Sequence, residues 1–237
     1  MKTPRHTALV RITHWLTVLS FAALLVSGAE IVLSHPRFYW GETGNVNMQP
    51  AFSLPFASSR DTVPTGYGYV LPDQNGWSRA LHFEAAWAAV LTGLVYVVAG
   101  LWTGHFRRNL LPPPGQRSLK AILLRLAQYL RFSRQPGADA PGSYNVLQRT
   151  AYLFVIFVLF PLVIWTGLAL SPAFVSALPA TADLLGGRQS ARTLHFFASW
   201  ALVLFLGIHL IMLAVSGFWS RTRAMITGHA PEQEGQS

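Results

Sequence analysis

The chain has 237 residues, of which 51% are apolar and 11% charged, and it carries a formal charge of +9. A soluble domain has about a quarter of its residues charged, so this composition predicts a single membrane domain with no second globular unit. Cysteine is absent, which excludes cysteine-ligated iron–sulfur clusters, disulfides, thiol redox chemistry and covalent c-type haem attachment. The basic residues are separated by apolar runs, a pattern of membrane loops and not of a nucleic-acid surface.

A bilayer crossing takes roughly 20 apolar residues, and four segments meet that length, near 12–33, 81–103, 150–170 and 192–216. The predicted fold class is all-α: an integral membrane four-helix bundle over residues 1–228, followed by a polar, disordered tail at 229–237. The first segment follows Lys2, Arg5 and Arg11. It is too long for the apolar region of a signal peptide and lacks a small-residue cleavage site, so it reads as a helix. Trp15, Trp102, Trp165 and Trp219 fall near the proposed helix ends, where interfacial aromatics belong.

Lysine and arginine set the predicted orientation. With both termini cytoplasmic, 13 of the 18 lie inside, and only Arg37, Arg60, Arg79, Arg188 and Arg192 lie outside. This predicts a multi-pass protein of the bacterial inner membrane, with N-terminus and C-terminus in the cytoplasm. Residues 34–80 then form a periplasmic loop with eight aromatics, Phe38, Tyr39, Trp40, Phe52, Phe56, Tyr67, Tyr69 and Trp77. A loop of that length implies a role or local structure. Its aromatics suit a docking surface, and a lid over the membrane interior is the other reading. Its exposed tip is expected near Phe52 to Tyr69. Residues 104–149 form a cytoplasmic loop. Within it, residues 118–132 place Leu119, Ile122, Leu123, Leu126 and Leu130 at helical spacing among basic residues. That predicts an amphipathic helix lying on membrane lipid.

Four of the eight histidines fall inside the proposed spans. His195 and His209 are 14 residues apart on the last span, which leaves them roughly 40° apart around the axis and about 21 Å apart in depth. In the predicted topology His82 shares the periplasmic level with His195, and His14 shares the cytoplasmic level with His209. Two depth-matched imidazole pairs suit two six-coordinate haems between helices. An isolated membrane histidine would more simply bond a neighbouring helix. Zinc would need further ligands, and Glu30 and Glu84, the acids of the membrane zone, complete no cluster.

Arginine stands three residues before three of these histidines, as Arg11, Arg79 and Arg192. Each guanidinium then lies one turn toward the interface, where it can pair with a haem propionate or simply snorkel at a helix end. Gly28 lies 14 residues after His14, and Gly93 lies 11 after His82. Both are predicted to face the histidine stripe and let a macrocycle approach the backbone, although glycine also serves helix packing.

Four helices, histidines on the first, second and fourth, Arg11-Ile-Thr-His14-Trp15, and a His195-x13-His209 pair resemble the bacterial di-haem cytochrome b561 superfamily. That superfamily includes the cytochrome b subunits of formate dehydrogenase, nickel–iron hydrogenase and thiosulfate reductase. The resemblance spans roughly 12–33 and 81–216; the 34–80 insert departs from it. It implies haem b ligation by His14, His82, His195 and His209 and electron exchange with a membrane quinone. A periplasmic redox partner, a molybdenum or nickel–iron enzyme, is the expected docking protein.

The leading functional reading is a haem b membrane subunit carrying electrons between that partner and the quinone pool. The alternative is a stand-alone quinone reductase fed by a small outer substrate such as superoxide. A basic funnel would favour it, but Arg37, Arg60 and Arg79 are offset by Glu42, Asp61 and Asp73. The quinone is expected near the cytoplasmic haem, with His105 and Arg11 as contacts.

Overall fold

The computed structural model describes residues 7–45, 47–56, 58, 76–130, 146–215 and 217–228. Tyr67 and Tyr69, Arg131 and Arg134, and the predicted tail at 229–237 lie outside these.

Four helical spans are long and apolar enough to cross a membrane: Ala8–Ser34, Gly76–Trp102, Val146–Leu168 and Arg188–Val215. Each begins about one turn before the boundary read from hydropathy. The extra turn carries an arginine in every case, Arg11, Arg79, Arg149 and Arg188, which backbone bonding includes and an apolar count omits. The protein is therefore an all-α membrane protein, as its sequence predicts.

Helix α1 (Ala8–Ser34) starts where Thr7 Oγ1 accepts the Val10 N–H at 3.4 Å. It stops before His35-Pro36, because a residue preceding proline is pushed out of the helical region. Its buried residues are Thr13, Ser20, Ser27 and Ser34, a seven-residue repeat of small side chains. This seam packs along α2 (Gly76–Trp102), where Ser78, Ala85 and Gly100 are buried. Small residues let membrane helices approach closely. Their hydroxyls need no water: Thr13 donates to Leu9 O at 2.9 Å, Ser27 to Ala23 O at 2.7 Å and Ser34 to Glu30 O at 2.9 Å.

After α2 the chain turns at Gly104, which has positive φ, into a single π-helical turn at Phe106–Leu110. Phe106 folds back over Gly100 so closely that a Cβ there would lie 2.6 Å from its ring. Helix α3 (Leu119–Leu130) is the amphipathic segment expected at 118–132.

The third span is composite: α4 (Val146–Phe154), a π turn at Val155–Leu159, and α5 (Phe160–Leu168). Proline explains the break. Pro161 has no N–H to give, and its ring would strike the carbonyl four residues back, so the helix widens just before it. The widened turn directs Val155 and Leu159 onto Leu202, in a cluster that Phe21, Phe160 and Phe205 surround. Short helices α6 (Pro172–Ala177) and α7 (Ala180–Asp183) lead to α8 (Arg188–Val215). Gly217, at φ 97°, then turns the chain into α9 (Phe218–Thr227). Helix α9 was not predicted, since it is too polar and short to register as a span. It returns to the start of α1, where Arg11 Nη1 donates to Ile226 O at 2.6 Å and Trp15 Nε1 to Met225 O at 3.3 Å. The start of α1 and the end of α8 therefore share one end of the bundle.

The opposite end carries the first half of the long loop. A two-residue antiparallel ladder joins β1 (Arg37–Phe38) to β2 (Phe52–Ser53). The segment between them caps α8: Gly41 O accepts the Gln189 N–H at 2.9 Å and the Ser190 N–H at 3.2 Å, and Glu42 Oε2 accepts the Arg188 N–H at 2.9 Å. The first turn of a helix has unpaired N–H groups and a positive dipole end, and a carboxylate with a carbonyl answers both. The expectation that Phe52 lies at an exposed tip is corrected. Phe52 stacks on the buried Phe38 at 4.7 Å, and both rings meet Phe196 of α8. Apolar area, not loop length, decides where Phe52 goes.

Candidate cofactor site between the helices

At the loop end, α2 and α8 bring the rings of His82 and His195 together, centroids 6.2 Å apart and planes at 68°. Imidazole–metal bonds of about 2 Å on opposite sides of one ion would place two ring centroids roughly 6 Å apart. The spacing fits one metal between the two rings.

Hydrogen bonding selects the nitrogen left for that metal. His195 Nδ1 lies 3.1 Å from Val163 O and 3.0 Å from Thr166 Oγ1. A carbonyl only accepts, so Nδ1 carries the proton and Nε2 keeps its lone pair. His82 Nδ1 lies 3.0 Å from Ser27 Oγ. Ala23 O, 2.7 Å away, takes the Ser27 proton, which leaves the hydroxyl oxygen to accept from His82 Nδ1–H. Both imidazoles are held as the tautomer with Nε2 free to ligate.

Two glycines back these rings. A Cβ at Gly28 would lie 3.5 Å from His82 Cε1, and one at Gly167 would lie 3.3 Å from His195 Cε1. Gly28 was expected to clear space for a macrocycle; in the structure the His82 imidazole lies over it. Gly167, Ser27 and Thr166 were missed. Gly167 has one sequence signal, an overlooked Ser-Gly and Thr-Gly echo at Ser27-Gly28 and Thr166-Gly167.

At the other end, His14 lies nearly two turns into α1 and His209 near the end of α8. His209 stacks against Phe205, at 6.1 Å and 23°, and meets Tyr152 edge-on at 6.4 Å. Arg11 gives Nη1 to Ile226 O, while its buried Nε–H meets no acceptor among the described residues. An aromatic wall beside a histidine and an unspent guanidinium donor suit a flat apolar group with an anionic edge. A Cβ at Gly93 would meet no atom within 4 Å.

The arginines diverge. Arg192 donates to the carbonyls of His35 and Arg37 and lies 4.9 Å over the Phe38 ring, so it fastens the loop to α8. Arg79 is exposed, one turn before His82. His105 lies 6.0 Å from the Tyr96 ring and 2.8 Å from Asn109 Nδ2. Burial, and then the charge of Arg108, hold its pKa below the ordinary histidine value. Among the described residues no group of three or more His, Asp or Glu gathers around a bare metal ion.

The sequence pattern of the prokaryotic cytochrome b561 family matches residues 5–228. The chain belongs to that family. It is a haem b membrane protein of electron transport, and the histidine-lined interior is where the family's cofactor finds compatible chemistry. The chain is also 31% identical, over 230 residues, to YedZ1 of Azospira oryzae, described as a protein-methionine-sulfoxide reductase subunit. That similarity covers 94% of this chain and 96% of the relative.

Proposed function

We propose that this cytochrome b561 carries electrons from the membrane quinone pool to a periplasmic partner oxidoreductase through two haems b. His82 and His195 hold one, and His14 and His209 the other. The observation that carries the reading is the His82–His195 pair, spaced for one iron with both Nδ1 positions occupied and both Nε2 atoms available. The description of the Azospira relative as a reductase subunit supports a partner that consumes electrons.

Iron bound by two imidazoles supplies reversible one-electron transfer without a change of ligands. The protein's part is fixed position and dryness. Hydrogen bonds from Nδ1 hold the outer rings, the Val155–Leu159–Leu202 cluster excludes water between the two histidine levels, and Arg11 offers its Nε–H to an anionic edge. Orientation follows the basic residues: both termini lie in the cytoplasm of an inner-membrane protein, and the 34–80 loop is periplasmic. Arg11 and the neutral His105 are the candidate quinone contacts, near the cytoplasmic level. Trp40 and Phe56 remain exposed while Phe38 and Phe52 anchor the loop. They are therefore, with the exposed Trp77 at the start of α2, aromatics available to the partner, which is a molybdenum or nickel–iron enzyme in this reading.

The test pairs composition with function. A pyridine haemochrome assay should give two haems b per chain, and quinol should reduce both. Addition of the partner should then reoxidise them. One haem or none, or haems that quinol leaves oxidised, would refute the proposal.

A further inference from the structure

Ser27 and Thr166 repeat one device on two helices. Both are fully buried. Each donates its hydroxyl to the carbonyl four residues back, Ser27 to Ala23 O at 2.7 Å and Thr166 to Leu162 O at 2.8 Å. Each oxygen lies 3.0 Å from the Nδ1 of one histidine, His82 or His195. Each is followed by a glycine against which that same imidazole rests. The α1–α2 and α5–α8 pairs thus present a hydroxyl and a glycine to opposite rings of one site. Packing alone does not call for this. Thr13, in the same seam of α1, bonds only backbone carbonyls.

The direction of these bonds has an electronic consequence. A hydroxyl whose proton is committed elsewhere can only accept from Nδ1–H. Drawing on that proton makes Nε2 a stronger donor, and a more basic ligand favours ferric over ferrous iron. We propose that Ser27 and Thr166 are positioning residues that lower the redox potential of the group held by His82 and His195. This rests on the assignment of those histidines as haem ligands.

The two hydroxyls are not equal. His195 Nδ1 also reaches Val163 O at 3.1 Å, so it keeps an acceptor when Thr166 loses its hydroxyl. For His82, Ser27 is the one acceptor found among the described residues. Ser27→Ala should therefore act more strongly than Thr166→Val.

The experiment is an optical redox titration of the purified, haem-loaded protein, with haem content measured in parallel. Ser27→Ala should shift the ferrous-over-ferric preference of the outer haem about tenfold, a rise of about 59 mV for one electron. Thr166→Val should give a smaller rise, Thr166→Ser should return the unmodified value, and the inner haem should not move. Unchanged outer potentials at full haem content, or equal shifts of both haems, overturn the proposal. Should Thr166→Val lose the outer haem, recovery in Thr166→Ser supports the hydroxyl's role and continued loss overturns it. Retention of the outer haem in both His82→Ala and His195→Ala would instead remove the ligand assignment itself, and this inference with it.

Discussion

His82 and His195 face one another across the bundle with their ring planes 68° apart. Axial imidazoles that are crossed and not parallel leave a ferric haem with a strongly anisotropic low-spin signal. With His82 and His195 as the ligands of one haem, as proposed, that outer haem is expected to show the signal by electron paramagnetic resonance. It should vanish in His195→Ala while the His14/His209 haem persists. A near-rhombic signal with closely spaced g values would contradict the crossed arrangement.

Gly167 and Gly28 should differ in tolerance. A methyl at Gly167 would sit 3.3 Å from His195 Cε1, against 3.5 Å from His82 Cε1 at Gly28. The first is tighter than most Cβ contacts and the second is ordinary. Gly167→Ala should lower outer-haem occupancy, by about tenfold in affinity as for other changes around a metal ligand. Gly28→Ala should leave it near normal, and the ratio of haem to protein after purification reads both.

Glu42 tests the loop clamp. Its carboxylate takes the Arg188 N–H at the first turn of α8, seven residues before His195. Glu42→Ala should cost about 1 kcal/mol, the usual value of a lost helix cap. Glu42→Gln, which keeps an acceptor and drops the charge, should cost about half as much. Thermal unfolding followed through the haem absorbance measures both, and two variants as stable as the unmodified protein would show that the clamp is idle.

Burial is the larger cause of the lowered His105 pKa and Arg108 the smaller. Arg108→Gln should accordingly raise the titration midpoint of His105 without restoring the ordinary value. Because the folded-state pKa lies below the unfolded one, the folded protein binds fewer protons. Stability from this group is complete above about pH 6.5 and declines as pH falls through the folded pKa. Histidine-labelled NMR reads the midpoint, and a midpoint above that of a free histidine would reverse the sign.

Trp40→Ala should slow reoxidation by the partner at least tenfold while haem spectra and reduction by quinol stay normal. Trp40 is 61% exposed on the loop, and buried aromatic anchors dominate protein–protein binding. A shifted outer-haem spectrum with normal partner exchange would mark the loop as a lid.

The four spans and the meeting of His82 with His195 were legible because each follows from local facts: an apolar run, a fourteen-residue spacing on one helix, a count of basic residues. The supports of those histidines were not. Ser27 lies 55 residues from His82 and Thr166 lies 29 from His195, so their meeting depends on helix register and not on any local pattern. Arg192 shows the same limit. Its place one turn before His195 could be read, but its bonds to the carbonyls of His35 and Arg37 could not. The bend at Pro161 was legible in principle, since proline inside an apolar run announces one.

The seven-residue spacing that puts Phe21 midway between His14 and Gly28 also puts Leu202 midway between His195 and His209. Phe21 packs against the Leu202 cluster, so apolar side chains of α1, the third span and α8 meet at mid-depth. The two histidine levels of α8 are about 21 Å apart, roughly two-thirds of a hydrocarbon core about 30 Å thick. An electron passing between them therefore moves through most of the membrane's electric field, which acts on a charge at about 2.3 kcal/mol per 100 mV. In the proposed outward direction the field, positive outside, draws the electron along. If quinol is oxidised at the cytoplasmic level, as proposed, the reaction is voltage-assisted and de-energising the membrane should slow it.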